Sequence, residues 1–218
     1  ILISKSGNTV ETLSISNLLS SRFLKKNNTV IISEKNNNAL QFFSKKKGFQ
    51  FIKHNNSIGG RYSVFSEVGM FPSYLMGLKP NSFHKGKVSL TKKNKSRLIS
   101  MANEMANKFK NRKYSSLILL NYCPALNEFL YWYQQLVAES LGKKGKGLLP
   151  VVSPAPRDHH SLLQLYLDGP KDKLFYIFSC KNQGEEKLKK NVFGNKFNNL
   201  NKKSINEIAN IQKDSLIE

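Results

Sequence analysis

The chain has little with which to cross-link itself or to hold a metal. Of its 218 residues, two are cysteine and four are histidine. Cys123 and Cys180 both sit in apolar stretches, so a disulfide framework is not expected and a reducing, cytoplasmic setting fits. No HxxxH or CxxC spacing occurs, which argues against a metal site. Gly-x-Ser-x-Gly is absent too, so no nucleophile elbow is expected. Apolar runs such as Leu117-Ile118-Leu119-Leu120 are far too short to cross a bilayer. Arginine is scarce: only five of the 35 basic residues. The net charge of +21 would ordinarily suggest nucleic acid. Here the lysines travel with asparagines, as in Lys26-Asn27-Asn28, and no aromatic-plus-basic stacking motif appears. A nucleic-acid partner is therefore not expected, although a basic surface still draws small anions.

What is present suffices for a folded core. The apolar fraction is 39%, well above a disordered composition. Short apolar strands alternate with helices. Ile1-Leu2-Ile3 is predicted as a strand, followed by a helix with Ile15, Leu18, Leu19 and Phe23 on one stripe. Val30-Ile31-Ile32 and Gln50-Phe51-Ile52 are predicted strands, with a helix from Ala39 to Lys46 closed by Gly48. A helix is expected near Val64–Met76, a solvated lysine-rich connection over 84–96, and a helix from Leu98 to Phe109. A second unit repeats the pattern: strand 117–121, a long helix from Pro124 through Ser140, strand 148–152, helix 159–167 and strand 174–180. A weakly helical stretch lies near 205–211. This order argues for α/β architecture with parallel sheets covered by helices. The opening without methionine, inside an apolar triplet, reads as a piece of a longer chain and not as a secretory leader.

Four segments carry candidate chemistry. At Ser4-Lys5-Ser6-Gly7-Asn8-Thr9 a strand gives way to a helix among clustered hydroxyls. Free N–H groups and the positive helix end suit a phosphate there. The plainer reading is a capping box from Asn8 to Glu11. In Gly59-Gly60-Arg61 the glycines permit close backbone approach, and the arginine can steady charge growing on a reacting oxygen. Read plainly, Arg61 is a surface or packing residue. Gln135 and Glu139 share a helix face. Glu139 sits in the last turn, where the dipole raises a carboxyl pKa toward that of a general base, while Lys143, Lys144 and Lys146 pull the other way. A solvated helix end is the plain alternative. Asp158-His159-His160 offers an acid/base histidine or merely a helix cap.

Together these segments resemble the glucose-6-phosphate isomerase family. The matching blocks are Ile58-Gly59-Gly60-Arg61-Tyr62-Ser63-Val64 with Gly69, Ser4 to Thr12, Gln135 to Ser140 with Gly142-Lys143, and His160-Ser161-Leu162-Leu163-Gln164. They stand in the family's order over residues 1 to about 180. The resemblance implies sugar isomerase (SIS) domains, each an αβα sandwich about a parallel sheet. Residues 1–56 would end the first, 57–110 would hold the signature and a helical connection, and 111–218 would be a second, C-terminally incomplete one. It implies interconversion of glucose 6-phosphate and fructose 6-phosphate through a cis-enediol, with no metal and no cofactor. Ser4, Lys5, Ser6 and Thr9 would hold the phosphate. Gly60 and Gln135 would also contact substrate. Glu139 would move the proton, Arg61 would steady the intermediate, and His160 would help open the ring. Family members are homodimers in which the histidine enters the neighbouring site.

There are departures. His159 beside His160 leaves open which of the two is active, and Glu67 replaces a usually small residue. The family's second signature and its lysine are not found before Glu218. The 218 residues alone are therefore expected to show little activity. The alternative is a non-catalytic phosphosugar-binding protein on the same fold. It would keep the Ser4–Thr9 loop but lack the Arg61, Glu139 and His160 set.

Overall fold

A computed structural model describes residues 1–20, 22–85, 91–110, 113–180, 187–189 and 194–218. The chain divides into two compact units, Ile1–Leu90 and Thr91–Glu218.

The first unit is built on β1 (Leu2–Ile3), β2 (Val30–Ser33) and β3 (Gln50–Lys53), parallel and in that spatial order. Between them run α1 (Val10–Ser20) and α2 (Ala39–Lys47). The side chain of Asn38 accepts from the Gln41 N–H at 2.8 Å to start α2. Gly48 ends it in the left-handed region at φ 66°. Leu2, Ile31, Leu40 and Phe49 form the core, with Leu13, Leu24, Phe43 and Phe51 packed on it.

α1 does not present the stripe expected of it. Ile15, Leu18 and Phe23 are exposed. The helix instead buries Ser16, whose Oγ donates to the Thr12 carbonyl at 2.6 Å, and packs through Leu13. Beyond β3 comes a 3₁₀ turn (Gly60–Phe65), then α3 (Glu67–Leu75) and α4 (Pro80–Lys85). Part of the lysine-rich connection, residues 86–90, lies outside the described residues.

The second unit opens with α5 (Lys92–Lys110), which starts six residues earlier than the pattern predicts. Its sheet has the order β5-β4-β6, all parallel: β4 (Ser116–Asn121), β5 (Leu149–Pro154) and β6 (Lys173–Phe178). β4 is central and buried on both faces, which suits its unbroken Leu/Ile run. α6 (Asn127–Leu141) follows a 3₁₀ turn at Pro124–Leu126. Leu117, Leu119, Leu130, Val137 and Leu148 make the core on one face. On the other, α9 (Ile205–Ile217) sets Ala209 and Leu216 against Leu120, Tyr122 and Ala155. α9 is longer than expected and starts in a full capping box between Ser204 and Glu207. The helix expected over 159–167 is two, α7 (Arg157–Ser161) and α8 (Leu163–Asp168), parted at Leu162.

The cysteines also depart from expectation, being bonded to each other with Cα atoms 5.8 Å apart. The cause is register. β4 and β6 pair in parallel with Asn121 opposite Phe178, so two residues further on Cys123 meets Cys180. The α/β class with parallel sheets is as the sequence predicts. Among the described residues no helix is long and apolar enough to cross a membrane.

Candidate active site

In the first unit, Ser4, Ser6 and Thr9 gather at the carboxyl end of β1, ahead of α1. Ser4 is buried, and its hydroxyl lies 2.7 Å from that of Thr9. The Gly7 N–H donates to the Ser4 Oγ at 3.2 Å, and the Asn8 N–H donates to the Ser6 Oγ at 3.2 Å. Asn8 does not cap its own helix by the expected box. Its Oδ1 accepts from the Ala39 N–H at 2.9 Å, which ties the loop to the start of α2. Gly7 is required twice over: its φ is +67°, and a Cβ there would lie 2.0 Å from the Asn38 Oδ1. Lys5 lies 3.5 Å from Glu34 and donates to the Asn56 carbonyl at 3.4 Å, so it joins this loop to the segment leading to Arg61. The loop is thus held from three sides, with hydroxyls and backbone N–H groups suited to an anion.

The Gly59-Gly60-Arg61 segment enters its 3₁₀ turn between two supports. The Ser63 Oγ donates to the Gly60 carbonyl at 2.6 Å, and the Ser66 Oγ donates to the Ser63 carbonyl at 2.7 Å. Gly69 lets α3 close on this turn, since a Cβ there would lie 2.0 Å from the Val64 carbonyl oxygen. Gly60 differs. A Cβ there would meet nothing within 4 Å, and its φ is outside the left-handed region, so the fold itself does not demand glycine. The Arg61 guanidinium stacks 5.1 Å from the centre of the Tyr62 ring.

In the second unit, Gln135 and Glu139 are exposed on α6, with the Gln135 amide donating to Glu139 at 2.8 Å. One turn gives this pairing, as the four-residue spacing predicts. α6 runs against the strands. Asn127 at its start bonds Asn121 at the end of β4 (2.8 Å), whereas Gln134 at its midpoint already donates to the Pro150 carbonyl at the start of β5 (2.7 Å). Gln135 and Glu139 therefore lie toward the amino edge of this sheet.

His159 and His160 lie beyond its carboxyl edge, on α7 after β5. At ~1.5 Å per helical residue, Asn127 to Glu139 alone spans roughly 18 Å. The structure keeps Glu139 and His160 of this unit at opposite ends of the sheet.

The two histidines differ. His159 is half-buried, and its Nε2 lies 2.7 Å from the Tyr122 hydroxyl. Burial pushes the Tyr122 phenol up to about 12, so it stays protonated. Burial also lowers the His159 pKa; His160 adds to this and Asp158 opposes it. The protonated phenol and the ring nitrogen share one hydrogen bond whose direction is set by the ring tautomer. His160 is exposed. Buried Asp158 steadies α7 by accepting from Ser153 at 2.9 Å and from Arg157 at 3.1 Å, and the Tyr166 hydroxyl donates to Ser153 at 3.1 Å. No spacing rule pointed to Tyr122, because its partner His159 comes from another element. Among the described residues no three metal-ligating side chains cluster.

No family model matches the chain. It is 33% identical over 190 aligned residues to the glucose-6-phosphate isomerase of Methanocaldococcus jannaschii, covering 83% of this chain and 47% of that protein. Identity is 30% to the glucose-6-phosphate isomerases of Mycoplasmopsis synoviae and Campylobacter jejuni. Those matches cover 100% and 99% of this chain, and 54% and 55% of theirs. The chain thus spans about half the length of the curated relatives it matches. A crystal structure of a hypothetical protein from Thermus thermophilus superposes with a TM-score of 0.81 at 22% identity, covering 99% of this chain and 55% of that one, which speaks to fold alone. Over the residues it spans, this chain belongs to the glucose-6-phosphate isomerase family.

Proposed function

We propose that the chain forms part of an enzyme that interconverts glucose 6-phosphate and fructose 6-phosphate, acting as a homodimer built on SIS domains. The observation that carries this reading is the hydroxyl-lined, pre-shaped turn after β1, in a chain whose curated relatives bear that isomerase name. Ser4, Ser6, Thr9 and the N–H groups around Gly7 hold the phosphate, with Lys5 adding charge. Gly60 lets the sugar approach the backbone. Glu139 takes the proton from C2 and returns it to C1, and Gln135 keeps the carboxylate in register. Arg61 steadies the enediolate oxygen. His160 of the partner subunit assists ring opening by moving a proton between the ring oxygen and the C1 hydroxyl. The opposite placement of Glu139 and His160 on one sheet supports this division between two copies, and the exposure of His160 favours it over His159.

Glu139→Gln in the full-length protein tests the reading. Turnover should fall by ~10²–10⁴-fold while sugar-phosphate binding persists, as for loss of a general base. Normal turnover would remove Glu139 from the mechanism, and a wild-type protein that binds fructose 6-phosphate without isomerising it would favour the non-catalytic reading.

A further inference from the structure

His54 is almost wholly buried, at 1% exposure, and is not among the residues to which a role has been given. It stands just past β3, and its N–H donates to the Ser33 carbonyl at 2.8 Å, so the sheet ladder fixes its backbone. Its ring faces two acceptors. Nε2 is 3.2 Å from the Ile58 carbonyl, and Nδ1 meets the Glu67 carboxylate. Ile58 immediately precedes Gly59-Gly60-Arg61, and Glu67 is the first residue of α3. One imidazole therefore holds both ends of the ten-residue segment that carries Arg61.

We propose that His54, paired with Glu67, is a positioning residue for Arg61: it donates from both ring nitrogens and so fixes the arginine segment at both ends, after β3 and at the start of α3. This rests on the role given to Arg61 above. The hydrogen-bond inventory requires the double donation. A carbonyl only accepts, so Nε2 carries a proton. An ionised carboxylate only accepts, so Nδ1 carries one as well. The Glu67 carboxyl is ionised at neutral pH. Burial pushes its pKa up, but bonds from its own backbone N–H and from His54 outweigh burial and leave it below the ordinary carboxylate value. A buried cationic ring is tolerated because it has a counter-charge and both N–H groups are bonded.

The role predicts a split effect. The hydroxyls of the phosphate loop bond neither His54 nor Glu67, whereas Arg61 and Gly60 lie within the clamped segment, so in His54→Phe the KM for fructose 6-phosphate should change less than kcat. The kcat should fall by roughly 10–10²-fold, the scale expected when a catalytic group is displaced by about an ångström. Glu67→Gln keeps an acceptor for Nδ1 and should retain most of kcat. Glu67→Leu should resemble His54→Phe. In an Arg61→Lys background, His54→Phe should add almost nothing, because the two act as a unit.

The experiment is steady-state kinetics on these variants of the full-length protein, with nitrogen NMR of the histidine rings in the wild type. Two protonated ring nitrogens on His54 at neutral pH support the clamp. One bare nitrogen overturns it. Unchanged kcat in both His54→Phe and Glu67→Leu, or fully additive losses with Arg61→Lys, also overturns it while leaving the isomerase reading intact. If wild-type protein does not isomerise, that reading fails, and the ring protonation still decides the clamp. Should His54→Phe not fold, the Glu67→Gln and Glu67→Leu pair carries the kinetic test.

Discussion

Gln134 donates to the Pro150 carbonyl at 2.7 Å, and that bond fixes which end of the second sheet the proposed base occupies. Proline lacks an N–H, but its carbonyl still needs a donor. Gln134→Ala should cost about 1 kcal/mol of stability, the usual net worth of such a bond. Because the side chain is one residue from Gln135, kcat should also fall, and chemical denaturation beside steady-state kinetics would measure both.

Gly60 and Gly69 should respond oppositely to alanine. A methyl at Gly69 collides with the Val64 carbonyl, so Gly69→Ala should lower the melting temperature clearly. At Gly60 the methyl enters open space, so Gly60→Ala should melt like wild type yet bind fructose 6-phosphate more weakly. Equal melting losses at both positions would contradict this.

Ser4→Ala removes the partner of the Thr9 hydroxyl and one of the two acceptors of the Gly7 N–H, which keeps the Ser4 carbonyl at 3.1 Å. Thr9 is exposed and the Gly7 N–H keeps an acceptor, so the cost should be only the net worth of one hydrogen bond, about 0.5–1.5 kcal/mol. Sugar-phosphate affinity should fall as well, which titration calorimetry can read.

His159 makes stability depend on pH in a defined direction. Its folded pKa lies below the unfolded value of about 6.5. As pH falls through that value, the unfolded chain takes up the proton first, so stability drops until the folded pKa is reached. Melting temperature should therefore decline with acidification in this window, and His159→Gln should flatten that part of the profile. His160→Gln should narrow this window only in part, since burial is the larger cause of the lowering, and should slow turnover of the closed-ring sugar.

Local rules made much of the scaffold legible. Asn38 and Gly48 bracket α2 by capping and by left-handed geometry, both written in neighbouring residues. β4 announces itself by an apolar run that only a doubly covered strand sustains. The failures are long-range. The face of α1 that meets the core is set by close packing at Ser16, not by the largest side chains. The pairing of Cys123 with Cys180 depends on strand order, which no local window contains. In the candidate site, motif spacing named the residues facing solvent, such as Gln135 and His160. The buried His54 and Tyr122 bond partners in other elements, Glu67 and His159, and left no periodic trace.

The turn after β1 is pinned by Asn8 to α2, by Lys5 to the Asn56 backbone, and inwardly by the Ser4–Thr9 pair. On the proposed role of this turn, an arriving phosphoester would meet a cradle that already has its final contour. Capture should proceed in a single kinetic phase whose rate climbs with ligand concentration without a plateau, since no slow rearrangement stands between encounter and seating.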